Sequence, residues 1–281
     1  MTVKYADLHI HTNYSDSTFS PEEVIVAARD SGLSAVSITD HDTVNGIPDS
    51  IKYGEQYGIE VIPGIEMTVE KDEREVHILG YYIDWKSDTL LKKIKAIQES
   101  RVKRIYQMVE LLKQEGIDID PEEVINYAGR GTLGRLHLAS VMQKKEKIAT
   151  IKEAFNKYIG FSKSCYVPHM KFSPEEAIKL ILASGGVPVL AHPAVTNNAP
   201  FIPEFTAIGL RGLEIYHSDH NKADQKRFLK IAEKHGLIAT GGSDCHGMGK
   251  GRMLIGTVMM EYTVVEKLKE ERDRIRNAEK S

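Results

Sequence analysis

Hydrophobic positions along the chain fall into two alternating patterns. Short runs rich in β-branched residues recur at residues 3–11, 35–41, 60–66, 75–82, 187–192, 212–216 and 238–246, and their length and composition predict strands. Between most of them lie segments of helical period. Three helices open on one signal, as Ser20-Pro21-Glu22-Glu23, Asp120-Pro121-Glu122-Glu123 and Ser173-Pro174-Glu175-Glu176. The Ser or Asp accepts a hydrogen bond from an otherwise unpaired first-turn amide, the Pro presets the first helical φ, and the Glu three residues on closes a capping box.

The rhythm changes in the middle of the chain. From about residue 89 to 171 little reads as strand, and Leu90, Leu91, Ile94, Ile97, Val102, Ile105, Val109 and Leu112 recur at helical spacing, predicting one long amphipathic helix. Residues 87–171 are therefore expected to form a small helical insertion that caps a domain made of 1–86 and 172–281. The alternative is that these helices belong to the outer layer of one continuous fold. About seven strands, most followed by a helix, predict a parallel α/β arrangement. Two architectures remain, a closed (β/α) barrel and an open doubly wound sheet.

Composition narrows the setting. With 281 residues, 41% hydrophobic and 27% charged, the chain is an ordinary globular sequence with enough length for a sizeable core. A net charge of −3 offers no general attraction for nucleic acid or an anionic membrane, and no DNA-binding signature is present. Two distant cysteines, Cys165 and Cys245, exclude a disulfide framework and a Cys-based zinc ribbon. Charged residues begin at Lys4, and no apolar run approaches a membrane span, so a soluble cytoplasmic protein is expected.

Chemistry-bearing residues collect where the strands end. His9 and His11 alternate onto one face of the first strand, with Asp16 in the loop beyond. Asp40 and His41, Glu66, His192, and Asp244 and His246 end later strands, while His77 stands early in its own. Singly, each has an ordinary reading as a buried or capping polar group. Together, six histidines and three carboxylates without a thiolate form a donor set suited to divalent transition metals, and nine donors predict two or three ions. In a closed barrel, functional residues sit at the carboxyl ends of the strands, so this distribution favours closure. Asp7 shares the face of His9 and His11 and is a candidate either for orienting an imidazole or for capping the barrel floor. Cys245, pointing away from Asp244 and His246, is expected to pack in the core.

The segments Asp-Leu-His-Ile-His-Thr at 7–12, Ile-Thr-Asp-His-Asp at 38–42, Pro-Gly-Ile-Glu at 63–66, Ala-His-Pro at 191–193 and Gly-Ser-Asp-Cys-His at 242–246 resemble the polymerase and histidinol phosphatase (PHP) family. The resemblance implies a distorted (β/α)7 TIM-like barrel with a trinuclear site (Mn, Fe or Zn) and phosphoester hydrolysis. It assigns His9, His11, Glu66 and Asp244 to a first metal, Asp16, His41 and His246 to a second, and Glu66, His77 and His192 to a third. Some relatives carry His where this chain has Asp16. Within the insertion, Gly134-Arg135-Leu136-His137 is similar to a motif that contributes to phosphate binding in members with such an insertion. By residue type alone, Arg135 and His137 read equally well as a surface cation and a helix cap. His217, just beyond the strand at 212–216, is a third pocket candidate and, with His137, a candidate proton donor to the leaving oxygen; His220 is expected to face solvent.

Among PHP proteins, a barrel with this insertion looks most similar to the phosphatases that release the 3′-phosphate of nucleoside 3′,5′-bisphosphates. The expected partners are small phosphorylated nucleotides such as adenosine 3′,5′-bisphosphate or AMP. Alternatives are a 5′-3′ exonuclease on short RNA, a histidinol-phosphate phosphatase, and a non-catalytic nucleotide-sensing module; intact ligand positions argue against the last.

Overall fold

A computed structural model describes residues 3–72, 74–168, 172–249 and 251–278. The chain divides into two compact units, Met1–Lys92 with Lys171–Ser281, and Lys93–Met170.

The first unit is built on one sheet. Its strands are β1 (Tyr5–Ile10), β2 (Ala35–Ile38), β3 (Glu60–Lys71), β4 (Arg74–Tyr81), β5 (Val187–Leu190), β6 (Gly212–His217), β7 (Ile238–Gly242) and the two-residue β8 (Met260–Glu261), ordered β7-β6-β5-β4-β3-β2-β1-β8. The sheet curls until the segment after β7 meets β1. There the Asp244 N–H donates to the His9 carbonyl at 2.8 Å and the His11 N–H to the Cys245 carbonyl at 3.1 Å. Gly242 makes this approach possible, because a Cβ on it would lie 2.3 Å from the His9 nitrogen. The result is a nearly closed barrel with helices α1 (Pro21–Asp30) and α2 (Ile47–Tyr57) following the first two strands. Ser20 and Glu23 form the reciprocal capping box that their spacing predicts.

Two strands depart from the parallel pattern: the short β8, which pairs antiparallel with β1, and β4. β4 runs antiparallel to both β3 and β5, while β1–β2–β3 and β5–β6–β7 pair in parallel. The twelve-residue β3 therefore continues into a hairpin with β4. This explains the position of His77. In an antiparallel strand the amino-terminal half lies at the carboxyl end of its parallel neighbours, so an early residue reaches the same rim as the late residues of the others.

The apolar core of this unit falls into buried clusters, while Asp7, His9, Ser37, Glu214 and Thr240 are fully buried polar residues on its strands. Leu8, Ile62, Leu79, Val189 and Leu268 belong to one buried cluster, and Ile10, Val36, Ile38, Val24 and Cys245 to another.

The second unit contains most of α3 (Asp88–Gln114), together with α4 (Pro121–Ala128), α5 (Arg135–Lys144), α6 (Ile151–Ala154) and a π-helical turn at Phe155–Ile159. Ile105, Met108, Leu112, Val124, Leu138 and Met142 lie in its core. Of the residues expected on the apolar face of α3, Leu91 and Val102 are exposed; a 27-residue helix drifts out of register with a single stripe. After this unit the barrel resumes with α7 (Pro174–Ala183), whose Ser173–Glu176 box repeats that of α1, then α8 (Ile202–Ala207), α9 (Lys222–His235) and α10 (Thr263–Ala278). Among the described residues, no helix is long and apolar enough to cross a membrane.

Candidate metal centre

The barrel gathers His9, His11, Asp16, His41, Glu66, His77, His192, Asp244 and His246 at one rim. Glu66 stands at the centre. Its Oε2 lies 3.2 Å from His9 Nε2, 3.3 Å from His11 Nε2 and 3.2 Å from His41 Nδ1. Its Oε1 lies 2.8 Å from His77 Nδ1 and 3.1 Å from His192 Nε2. Asp244 Oδ1 is 3.1 Å from His11 Nε2, and Asp16 Oδ1 is 3.3 Å from His246 Nε2. Donor atoms converge within 4.8 Å in three groups: His11, Asp16, His41 and His246; His9, His11 and Asp244; and His41, Glu66 and His77.

These residues fit divalent ions on the chemistry of the donors. His9 Nε2 faces His11 Nε2 at 3.1 Å, and His77 Nδ1 faces His192 Nε2 at 3.2 Å. Two imidazole nitrogens turned towards each other repel unless a proton or a cation sits between them. Ligands about 2.0–2.2 Å from a shared ion are themselves about 3–3.5 Å apart, which is the spacing seen. Asp16 Oδ1 is buried without a hydrogen-bond partner, as an anion awaiting a cation would be.

The electrostatics of these groups are uneven. Burial penalises charge on His11, yet hydrogen bonds to Asp244 and Glu66 raise its pKa to about 9. His77 is only partly buried, and against its desolvation Glu66 and Glu75 raise its pKa to about 10. For His41 desolvation wins and the pKa falls to about 3. Asp16, Glu66 and Asp244 resist burial through the surrounding imidazoles and stay well below the usual carboxylate range. His192 and Asp244 both adopt positive φ, at 25° and 52°, conformations that cost energy and persist where surrounding contacts enforce them.

Several expectations need correction. Of the two readings of Asp7, the contacts favour the structural one over orienting an imidazole: its Oδ1 accepts the backbone N–H groups of His9 (3.3 Å) and Ser243 (2.8 Å), tying β1 to the end of β7. Asp40 is not among the converging donors. It accepts from the Thr12 amide and hydroxyl and from the Ser15 hydroxyl, all at 2.6 Å, and so clamps the loop that carries Asp16. His220 is buried rather than solvent-facing, its Nδ1 donating to the Ile215 carbonyl at 2.9 Å. Cys245 is buried beside Ile10 and Ile38, as expected.

Two neighbours escaped sequence reasoning. Glu214, in the interior of β6, sits 3.0 Å from His9 Nδ1 and accepts the His192 N–H at 2.8 Å. The available signal was a charged residue amid an otherwise apolar strand interior. Glu75 lies 3.2 Å from His77 Nε2. His217 lies in the barrel, with its Nε2 3.4 Å from Asp244 Oδ2. Its Nδ1 accepts the Asp219 N–H at 3.0 Å, which leaves the ring proton on Nε2.

Arg135 and His137 belong to the helical unit. Gly134 is the N-cap of α5, and His137 Nδ1 accepts its N–H at 3.1 Å, a capping contact. The Arg135 guanidinium lies over the Phe155 and Tyr166 rings, 5.5 and 5.6 Å from their centroids.

The PHP domain family profile matches residues 7–164. The chain is 31% identical to the 3′,5′-nucleoside bisphosphate phosphatase of Chromobacterium violaceum, across 89% of this chain and 90% of that one. It is 29% identical to the phosphoribosyl 1,2-cyclic phosphate 1,2-diphosphodiesterase of Eggerthella lenta, across 86% and 94%. It is 30% identical to the 5′-3′ exoribonuclease of Haemophilus influenzae, across 92% and 98%. A crystal structure from Bifidobacterium adolescentis, named as a candidate metal-dependent phosphoesterase, superposes with a TM-score of 0.85 at 30% identity, covering 94% of each chain.

Proposed function

The chain belongs to the PHP family and is a metal-dependent phosphoesterase, and from that premise we propose that it hydrolyses the 3′-phosphate of small nucleoside 3′,5′-bisphosphates. The observation that carries this reading is the near-full-length match to a nucleoside bisphosphate phosphatase. A net charge of −3 agrees with a small substrate held locally rather than a long polyanion.

In this reading the nine clustered residues hold two or three divalent ions, with manganese, iron or zinc suited to an imidazole and carboxylate set. Bound ions supply Lewis-acid stabilisation of phosphoryl charge and activation of water near neutral pH. The chain's own groups do the rest. Glu66, shared by five imidazoles, fixes the spacing of the donors. His217 presents its Nε2 proton beside Asp244 and donates it to the departing ribose oxygen. Arg135 and His137 contact substrate phosphate, a role that rests on the likeness of their motif and on the suitability of a guanidinium for phosphate.

A second reading, a 5′-3′ exonuclease on short RNA, is favoured by the match to the Haemophilus influenzae exoribonuclease. The two separate in a kcat/KM comparison between adenosine 3′,5′-bisphosphate and a short 5′-phosphorylated RNA, with the metal-loaded protein. The first reading expects the bisphosphate to be preferred by at least tenfold; preference for RNA with release of 5′-mononucleotides would replace it with the second.

A further inference from the structure

Glu214 is a fully enclosed acid beside the cluster. It is 0% exposed in the middle of β6. An ionised carboxylate there is costly unless each oxygen is paired, and both are. Oε1 meets the His9 ring at Nδ1, 3.0 Å away, and Oε2 accepts the His192 backbone N–H at 2.8 Å. Glu214 is not among the donor groups that converge in the cluster, and its oxygens face His9 and the His192 amide, so Glu214 acts through the two histidines.

Its effect on His9 is chemical. A carboxylate only accepts, so the proton of a neutral imidazole facing it must sit on Nδ1. That leaves the Nε2 lone pair aimed at the cluster, where Nε2 lies 3.1 Å from His11 Nε2 and 3.2 Å from Glu66 Oε2. Its effect on His192 is conformational. His192 holds φ at +25°, outside the regions that L-residues favour, and the bond from its N–H to Glu214 helps hold that turn. The turn places His192 Nε2 3.1 Å from Glu66 Oε1. His9 and His192 thus sit on the two different oxygens of Glu66.

We propose that Glu214 is a positioning residue for the metal centre, holding His9 in its Nδ1-protonated form and His192 in its strained turn, so that one buried carboxylate sets donors on both sides of Glu66. The inference rests on the reading of the cluster as a metal centre.

The test is Glu214→Gln, which keeps the shape but replaces one acceptor oxygen with a donor. With the Gln carbonyl on the His192 amide, its NH2 group faces His9 and favours the tautomer that carries a proton on Nε2. Affinities for Mn2+ and Zn2+ are measured by calorimetry on wild-type and variant protein, with circular dichroism of both metal-free forms as the check on folding. The expected result is a fall of roughly 10- to 100-fold in affinity, at unchanged metal-free secondary structure. A folded variant with wild-type affinity would overturn the proposal. A second measurement needs no variant: the ring 15N pattern of His9 in the Zn2+-loaded wild type should show a protonated Nδ1 and a ligated Nε2. The reverse pattern would overturn the proposal even if the variant failed to fold. A wild-type protein that binds neither ion would remove the metal-centre reading itself and this inference with it, whereas wild-type binding unaffected by the substitution would remove the inference alone.

Discussion

Glu66 meets five imidazole nitrogens with two oxygens while 0% exposed. Its replacement by Gln withdraws one charged acceptor from a crowd of donors that needs it. Because removing even an outer partner of a metal ligand costs about 10- to 100-fold, Glu66→Gln should lower kcat/KM more than about 100-fold and reduce bound metal by elemental analysis. Full metal content in the variant would contradict the central place given to this residue. His217 supports a different prediction. If it protonates the leaving oxygen, His217→Gln should lower kcat by about 10^2- to 10^4-fold on a nucleotide. The loss should be much smaller on p-nitrophenyl phosphate, whose leaving group departs without a proton; equal losses on both would assign His217 a structural role. At this scale the sequence was informative where residue type carries chemistry. Histidines and acids at strand ends stand out against apolar runs. Glu214 gave a weaker sign, since one acid inside a strand is as consistent with an ion pair as with a site. His220 misled because the chain folds it back onto the end of β6 and against α9, with its Nδ1 on the Ile215 carbonyl and the His217 and Phe228 rings 5.1 and 5.5 Å away.

The helix starts were legible because their signals are local. Ser20 and Ser173 make the boxes that four consecutive residues encode. Strand direction is not local. The antiparallel course of β4 follows from its hairpin with β3, and hydrophobic pattern alone does not distinguish a strand from its reverse. The seam between β1 and the end of β7 is likewise a long-range feature, resting on Gly242. Gly242→Ala would force a Cβ to within 2.4 Å of His9 Cβ. Overpacking of this kind costs about 1–3 kcal/mol, equivalent to a fall in Tm of roughly 2–12 °C for a chain of this size. An unchanged Tm in a thermal melt would show that the seam is looser than described. The same displacement moves His9, so metal affinity should fall together with stability.

Across the whole molecule, the buried cluster links metal, protons and stability. Without metal, His11 and His77 have pKa values raised to about 9 and about 10 from an ordinary 6.5. A raised folded-state pKa means the proton stabilises the fold. That contribution is fully present below about pH 6.5 and is lost as pH rises through 9 to 10. Metal binding must expel those protons, so it should strengthen between pH 7 and 9 by up to about tenfold per pH unit for each proton displaced. Calorimetry in buffers of different ionisation enthalpy reads the protons released; binding with none released would contradict the protonated metal-free state. In the same experiment added metal should raise Tm, since it binds the folded chain. Arg135→Ala should leave these metal properties intact and raise KM for nucleotide, and an unchanged KM would take Arg135 out of phosphate binding.

The most direct test of the account follows the fate of the two phosphates. Metal-loaded protein is mixed with adenosine 3′,5′-bisphosphate and observed by 31P NMR, with and without a chelator. The account predicts that the 3′-phosphate resonance gives way to inorganic phosphate while the 5′-phosphate of AMP remains, and that the chelator stops the conversion. Persistence of the 3′ resonance in the metal-loaded sample, or loss of the 5′-phosphate first, would contradict it.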